Sequence, residues 1–142
     1  RLRRIDRRGG VSEENVELVR SVVEAWNRGD YSMALESVDP EIEVEAALGG
    51  TFDGTYQGPA EARSFLEDFW RNFERSHAEV EEYSPVGDSV VFAVHLRGRG
   101  KGSGAEVEMR NWQVCTVRDG KIVGYRMFST KREALEAAGL RE

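Results

Sequence analysis

Glu106 to Thr130, EVEMRNWQVCTVRDGKIVGYRMFST, decides how the rest of the chain is read. Two strand-like runs flank Arg118-Asp119-Gly120-Lys121. Asp-Gly favours a two-residue type I′ loop, in which both central residues take positive φ. With that loop, Val117 faces Ile122, Thr116 faces Val123, Val114 faces Tyr125 and Trp112 faces Met127. Side chains alternate along a strand. One face then carries Arg110, Trp112, Val114, Thr116, Val123, Tyr125, Met127 and Ser129. The other carries Asn111, Gln113, Cys115, Val117, Ile122, Gly124, Arg126 and Phe128. The first set is bulkier and more apolar at its centre, so it is expected to face the core. A slip of one residue exchanges the two sets.

The 142 residues fit one domain, and 39% apolar with 32% charged residues fit a globular chain. A net charge of −6 argues against a nucleic-acid surface. No apolar run approaches the roughly 18 residues of a membrane span. A single cysteine allows no internal disulfide. The start, RLRRIDRRGG, has no apolar stretch of the kind a signal peptide needs. A cytoplasmic location is expected. Residues 1–10 hold five arginines and are expected to form a basic tail before a single domain over 11–142.

Ser12 is expected to cap a first helix, with Val16, Val19, Val22, Val23 and Trp26 on one side and Gly29 at its left-handed end. Asp30 caps a shorter helix that stops before Asp39-Pro40. Glu41 to Ala47 alternates as a strand, with Ile42, Val44 and Ala46 on one face and three glutamates on the other. Those glutamates lack a second ligand cluster, so no metal site is expected. Leu48 to Gly58 reads as a glycine-rich loop bearing Asp53 and Tyr56. Pro59 opens a helix whose Ala62, Phe65, Leu66, Phe69, Trp70 and Phe73 form an aromatic stripe. Strands follow at His77 to Val86 and Ser89 to Arg97. The basic RGRGKGSG of 97–104 is a hairpin connection, since it matches no phosphate loop and lacks interleaved aromatics. Thr130 to Glu133 is a capping-box pattern opening a last short helix.

VELVRSVVEAWNRGDYSMALESVDPEIEVE, TYQGPAEARSFLEDF and VRDGKIVGYRMF, in that order and spacing, resemble the NTF2-like superfamily, in particular its SnoaL-like branch. The resemblance covers most of 12–140. It implies an α+β fold: a cone-shaped barrel of three to four helices on a curved, mostly antiparallel sheet. It also implies a deep, mainly apolar pocket and a homodimer through the open sheet face. Such folds serve isomerases, cyclases, dehydratases, epoxide hydrolases and non-catalytic binding domains, so fold alone assigns no activity. Matched to the ketosteroid isomerases, this chain has Val22 at the oxyanion-hole tyrosine, Ala46 at the aspartate base and Trp112 near the protonated aspartate. That isomerase chemistry has no residues here.

The resemblance and the hairpin together imply a pocket lined by Val22, Trp26, Val44, Ala46, Tyr56, Phe65, Phe69, Trp112, Tyr125 and Met127. They turn His95 inward as a candidate general base. Arg110, paired with Glu108 on its own face, is a candidate anion binder at the pocket mouth. Cys115 is assigned outward as an inert thiol. Three readings stand. The first is a cofactor-independent acid–base enzyme of cyclase, isomerase, dehydratase or epoxide hydrolase type, acting on a small apolar or aromatic molecule. The second is a non-catalytic module binding a hydrophobic ligand. The third is a dimeric interaction domain with a packed core. No metal, cofactor, nucleic acid or membrane enters any of them.

Overall fold

The computed structural model describes residues 2–51 and 53–139, and the side chains of 13–51, 53–73 and 77–139. Its elements run α1 (Leu2–Asn27), α2 (Tyr31–Leu35), β1 (Val38–Ala47), β2 (Gly54–Gln57), α3 (Gly58–Arg71), β3 (Phe73–Val86), β4 (Ser89–Gly100), β5 (Glu106–Arg118), β6 (Lys121–Phe128) and α4 (Lys131–Ala137). The strands form one curved, unclosed sheet in the order β2-β1-β6-β5-β4-β3. Every pairing is antiparallel except β1 with β6. Helices α1 and α3 pack on the inner face and bury Val19, Val22, Trp26, Phe65 and Leu66 against Ile42, Phe92, Cys115 and Ile122. Helix α4 covers a second, smaller cluster of Val91, Val114 and Ala134 on the outer face.

Local chemistry sets the element ends. Asp119 and Gly120 have φ of 53° and 74°, as a type I′ turn requires. Gly29 has φ of 78°, and its N–H donates to the Trp26 carbonyl at 3.0 Å. That is the left-handed position where glycine is cheapest. The Thr130 hydroxyl accepts from the Glu133 amide at 3.1 Å while the Glu133 carboxylate accepts from the Thr130 amide at 3.3 Å. This is the reciprocal cap read from the sequence.

Several boundaries differ from the sequence reading. The backbone of 2–11 belongs to α1, so the helix begins before Ser12 instead of being capped by it, and the expected tail is helical. Arginine is a good helix former, and extending a helix costs far less than starting one. The side chains of those first residues lie outside the described set. The glycine-rich 48–58 segment contains β2, which pairs with β1 from Glu43–Gln57 to Ala46–Gly54. Helix α3 ends at Arg71, so Phe73 begins β3 instead of closing the helix.

The largest correction lies in the central hairpin. Val117 pairs with Ile122, but Thr116 pairs with Gly124, Cys115 with Tyr125, Gln113 with Met127 and Trp112 with Phe128. Val123 is thus an extra residue on β6, a bulge beside the turn. Gly124 follows it, opposite Thr116, where an added Cβ would make an ordinary contact of 3.6 Å with Thr116 Cβ. Beyond the bulge, β6 keeps Tyr125 and Met127 inward as expected, while β5 is reversed. Cys115 is fully buried in the main core and Trp112 belongs to the outer cluster. Asn111 and Gln113 face inward with Cys115, whereas Arg110, Val114 and Thr116 face outward.

Candidate functional site

The inner sheet face and the two helices leave a narrow cavity of about 50 Å³ between them. Trp26, Phe65, Val94, Leu96, Tyr125 and Met127 form most of its apolar wall. Asn27, Leu48, Phe69 and Trp70, all half-buried or exposed, lie on the solvent side. A water needs about 10–15 Å³ of such space, and an apolar cavity of about 150 Å³ takes up benzene. An aromatic ring therefore enters here only if the walls give. Phe69 and Trp70, edge to face at 5.4 Å on the last turns of α3, are the side chains best placed to move.

The buried polar groups of the cavity wall form a three-residue ladder, apart from the exposed Asn27 on the solvent side. The Tyr125 hydroxyl donates to Gln113 Oε1 at 2.6 Å, and Gln113 Nε2 donates to Asn111 Oδ1 at 2.9 Å. Gln113 and Asn111 are only 6% and 5% exposed. Alternation on β5 puts both on the inner face, and the bulge brings Tyr125 back into line with them. Burial first, and the nearby Cys115 second, push the Tyr125 hydroxyl well above its ordinary pKa, against the Gln113 hydrogen bond, which lowers it. The hydroxyl therefore stays protonated, and in this ladder it donates. The ladder ends at Asn111 Nδ2, which has no acceptor among the described residues. The Trp26 and Tyr125 rings lie 4.7 Å apart, tilted at 41°, and the Trp26 indole N–H is buried without a partner among the described residues.

The expected site residues divide by face. Trp26, Phe65, Phe69, Tyr125 and Met127 are on the cavity wall. Val22, Val44 and Ala46 are buried in the core around it, and Tyr56 packs on Phe65 at 4.8 Å. Trp112 lies on the opposite side of the sheet, 5.3 Å below the Lys131 ammonium. His95 is also outward, since its neighbours Val94 and Leu96 take the inner positions. There its Nε2 lies 2.5 Å from Glu108 Oε2 and its Nδ1 4.0 Å from Glu79 Oε1. Arg110 does not pair with Glu108. It sits opposite His95 in the register and donates to Glu81 Oε1 at 2.6 Å, whereas Glu108 sits opposite Arg97. Asp53 ties off the 48–53 loop by accepting from the Leu48 and Gly49 amides at 2.8 Å each, and these bonds hold its carboxyl below the ordinary pKa. Burial raises the Cys115 thiol pKa, leaving it unreactive. Among the described residues no group of three or more His, Cys, Asp or Glu could hold a metal ion.

Asn111 and Gln113 are the site residues that sequence reasoning missed. Gly124 was the available sign: a glycine inside a strand marks a bulge often enough to test the shifted register. That register puts the cysteine, among the most buried residue types, opposite Tyr125.

The chain belongs to the SnoaL-like domain family, with the family pattern matching residues 19–125. Its fold is shared by an NTF2-like protein of unknown function from Burkholderia pseudomallei K96243, with a TM-score of 0.74, 18% identity, and 89% of this chain and 98% of that one covered. TerC, crystallised with polyporic acid, gives a TM-score of 0.72 at 20% identity, with 87% and 98% covered. A protein from Jannaschia sp. CCS1, provisionally named a SnoaL-like polyketide cyclase, gives 0.72 at 21%, with 92% and 94% covered. Among curated proteins, none matches the sequence.

Proposed function

We propose that this chain holds a small, flat, apolar or aromatic molecule in the cavity between the sheet and helices α1 and α3, and that it does so as a binding module. The ladder of Tyr125, Gln113 and Asn111 carries this reading. It puts a few oriented polar groups on an otherwise apolar wall, which is the usual make-up of a ligand site. The acid–base enzyme reading is weaker because, among the described residues, Tyr125 is the one ionisable side chain on that wall, and its hydroxyl is held protonated. General base catalysis needs a group that accepts a proton near the working pH. His95, Glu108 and Arg110 lie across the sheet, engaged with other charged groups.

Thermal unfolding against a panel of flat apolar compounds tests the reading, since a ligand that binds only the folded state raises the midpoint. Val94→Phe, which fills the cavity, should abolish the rise. A panel that moves the midpoint of neither protein refutes the proposal. The outer sheet face is offered as the contact for a second copy of the chain. Sedimentation at micromolar concentration should give twice the mass of one chain and a shift toward one mass as salt screens that charged face. A single mass at every salt concentration removes the dimer.

A further inference from the structure

We infer that a second site, a cleft between α1 and two turns of the sheet, binds the guanidinium group of an arginine, and that Asn15 is the buried amide that receives it. Helix α1, the Gly87-Asp88 turn and the Asp119-Gly120 turn enclose an open cleft of about 510 Å³. It shares no lining residue with the cavity described above. The Val117 amide donates to the Asp88 carbonyl at 2.9 Å, which ties the two turns together. Asn15 lines the cleft and is only 9% exposed, yet its side chain bonds to none of the described residues. Buried amides are almost always paired, so one left open onto a cleft asks for a ligand. Glu14, Asp88 and Asp119 are exposed around it, with Arg118 as the one base. None of these four is ion-paired with a described residue, whereas the charges of the outer sheet face are laced together. The surplus of negative charge favours a cation. A metal ion does not suit it, because no three acids among the described residues gather closely enough to hold one. A planar guanidinium spreads five N–H donors and can bridge acceptors that stand apart, while an ammonium is a point charge. It is also the more weakly hydrated, and so rests at less cost on the apolar surface of Leu18 and Val117. Asn15 Oδ1 accepts from the guanidinium, and Asn15 Nδ2 is satisfied by a carbonyl or carboxylate of the same ligand. Arginine offers both, within a peptide chain or as the free amino acid.

Two-dimensional NMR titration with acetyl-Gly-Arg-Gly-amide and acetyl-Gly-Lys-Gly-amide, at constant ionic strength, tests this. The arginine peptide should shift the Asn15 side-chain amide and the Gly120 amide saturably. It should bind about tenfold tighter than the lysine peptide, the worth of one further charge-assisted hydrogen bond. L-arginine separates the two sources: tighter binding than the peptide marks a free guanidino acid as the ligand, and weaker binding marks an arginine on a peptide chain. Glu14→Gln with Asp119→Asn should weaken the arginine peptide about fivefold, since each removes one exposed charge. The fold is kept there because Asn-Gly forms the same turn. Asn15→Leu should bring the two peptides to equal affinity, with circular dichroism confirming the fold. If that variant does not fold, the surface pair decides the matter. Equal affinities of the unaltered protein for the two peptides overturn the inference. So do shifts that never saturate or that scatter over all the acidic groups. A preference for arginine that survives in folded Asn15→Leu overturns the assignment to Asn15.

Discussion

Asn111 and Gln113 on the inner face of β5 are almost fully buried, and their amides bond to each other and to Tyr125. Glu108 and Arg110, on the outer face of the same strand, are 63% and 51% exposed and bond to His95 and Glu81. Inside, polar groups are few, neutral and geometrically fixed, because each unmatched one is expensive there. Outside they are many and charged: Arg97 approaches both Glu79 and Glu108, and Lys131 and Arg110 both approach Glu82. Exposed pairs of this kind contribute little each, since water and salt compete for the same charges. Specificity is therefore expected from the sparse side of the sheet and not from the crowded one.

The largest test of this contrast is Phe92→Ala. Phe92 is fully buried on the inner face, 5.5 Å from Tyr83, and its truncation should cost about 3–5 kcal/mol in urea unfolding. A loss under about 1 kcal/mol would mean that the inner core is loosely packed. Tyr125→Phe comes next. It strands Gln113 Oε1 and should cost about 1–3 kcal/mol with an unchanged denaturant slope.

The same tyrosine sets an alkaline limit. Burial raises the Tyr125 hydroxyl pKa and pushes that of the half-buried Tyr83 up to about 12. Both ionise more readily in the unfolded chain, near pH ~10. The unfolded state then holds fewer protons than the folded one, so stability should be fully present below about pH 10 and fall as pH rises above it. Tyr125→Phe should flatten part of that fall. An identical pH profile would show that its hydroxyl is not buried as described. The smallest expected effect is Arg110→Ala, at about 0–1 kcal/mol and weaker still in salt. A cost near that of Phe92→Ala would erase the distinction between the two faces.

Much of this was legible in the chain because it depends on local chemistry. The Asp119-Gly120 turn, the Thr130 cap, the Gly29 stop and the helical stripe of Trp26, Phe65 and Phe69 all come from residues acting on near neighbours. The inward aim of Tyr125 and Met127 was read correctly even though the strand opposite was reversed. One extra residue, Val123, explains how both are true. Periodicity counts residues along a single strand and is blind to a bulge in the pairing. The amides of Asn111 and Gln113 read as outward because the alternate set, with Trp112, Val114 and Tyr125, is bulkier and more apolar at its centre. Only a partner across the sheet makes their burial affordable. His95 is turned inward only by the family resemblance, since periodicity along Ser89 to Arg97 does not tell its face from that of Val94. β2 was hidden for a different reason: Gly54 and the glycines around the strand suppress strand propensity, and it forms as an edge against β1.

The parallel seam between β1 and β6 has a consequence for how the chain is made. The earliest strand and the latest one are neighbours at the middle of the sheet, and β6 alone joins β1 and β2 to β5, β4 and β3. A nascent chain emerging from the ribosome can form its two parts separately but cannot fuse them until translation has passed Phe128. Until then the inward edges of β1 and β5 are open to any other strand, a hazard typical of long-range pairing. Folding of this domain should thus wait for its last strand, and a product stopped before Lys121 should be a client for chaperones.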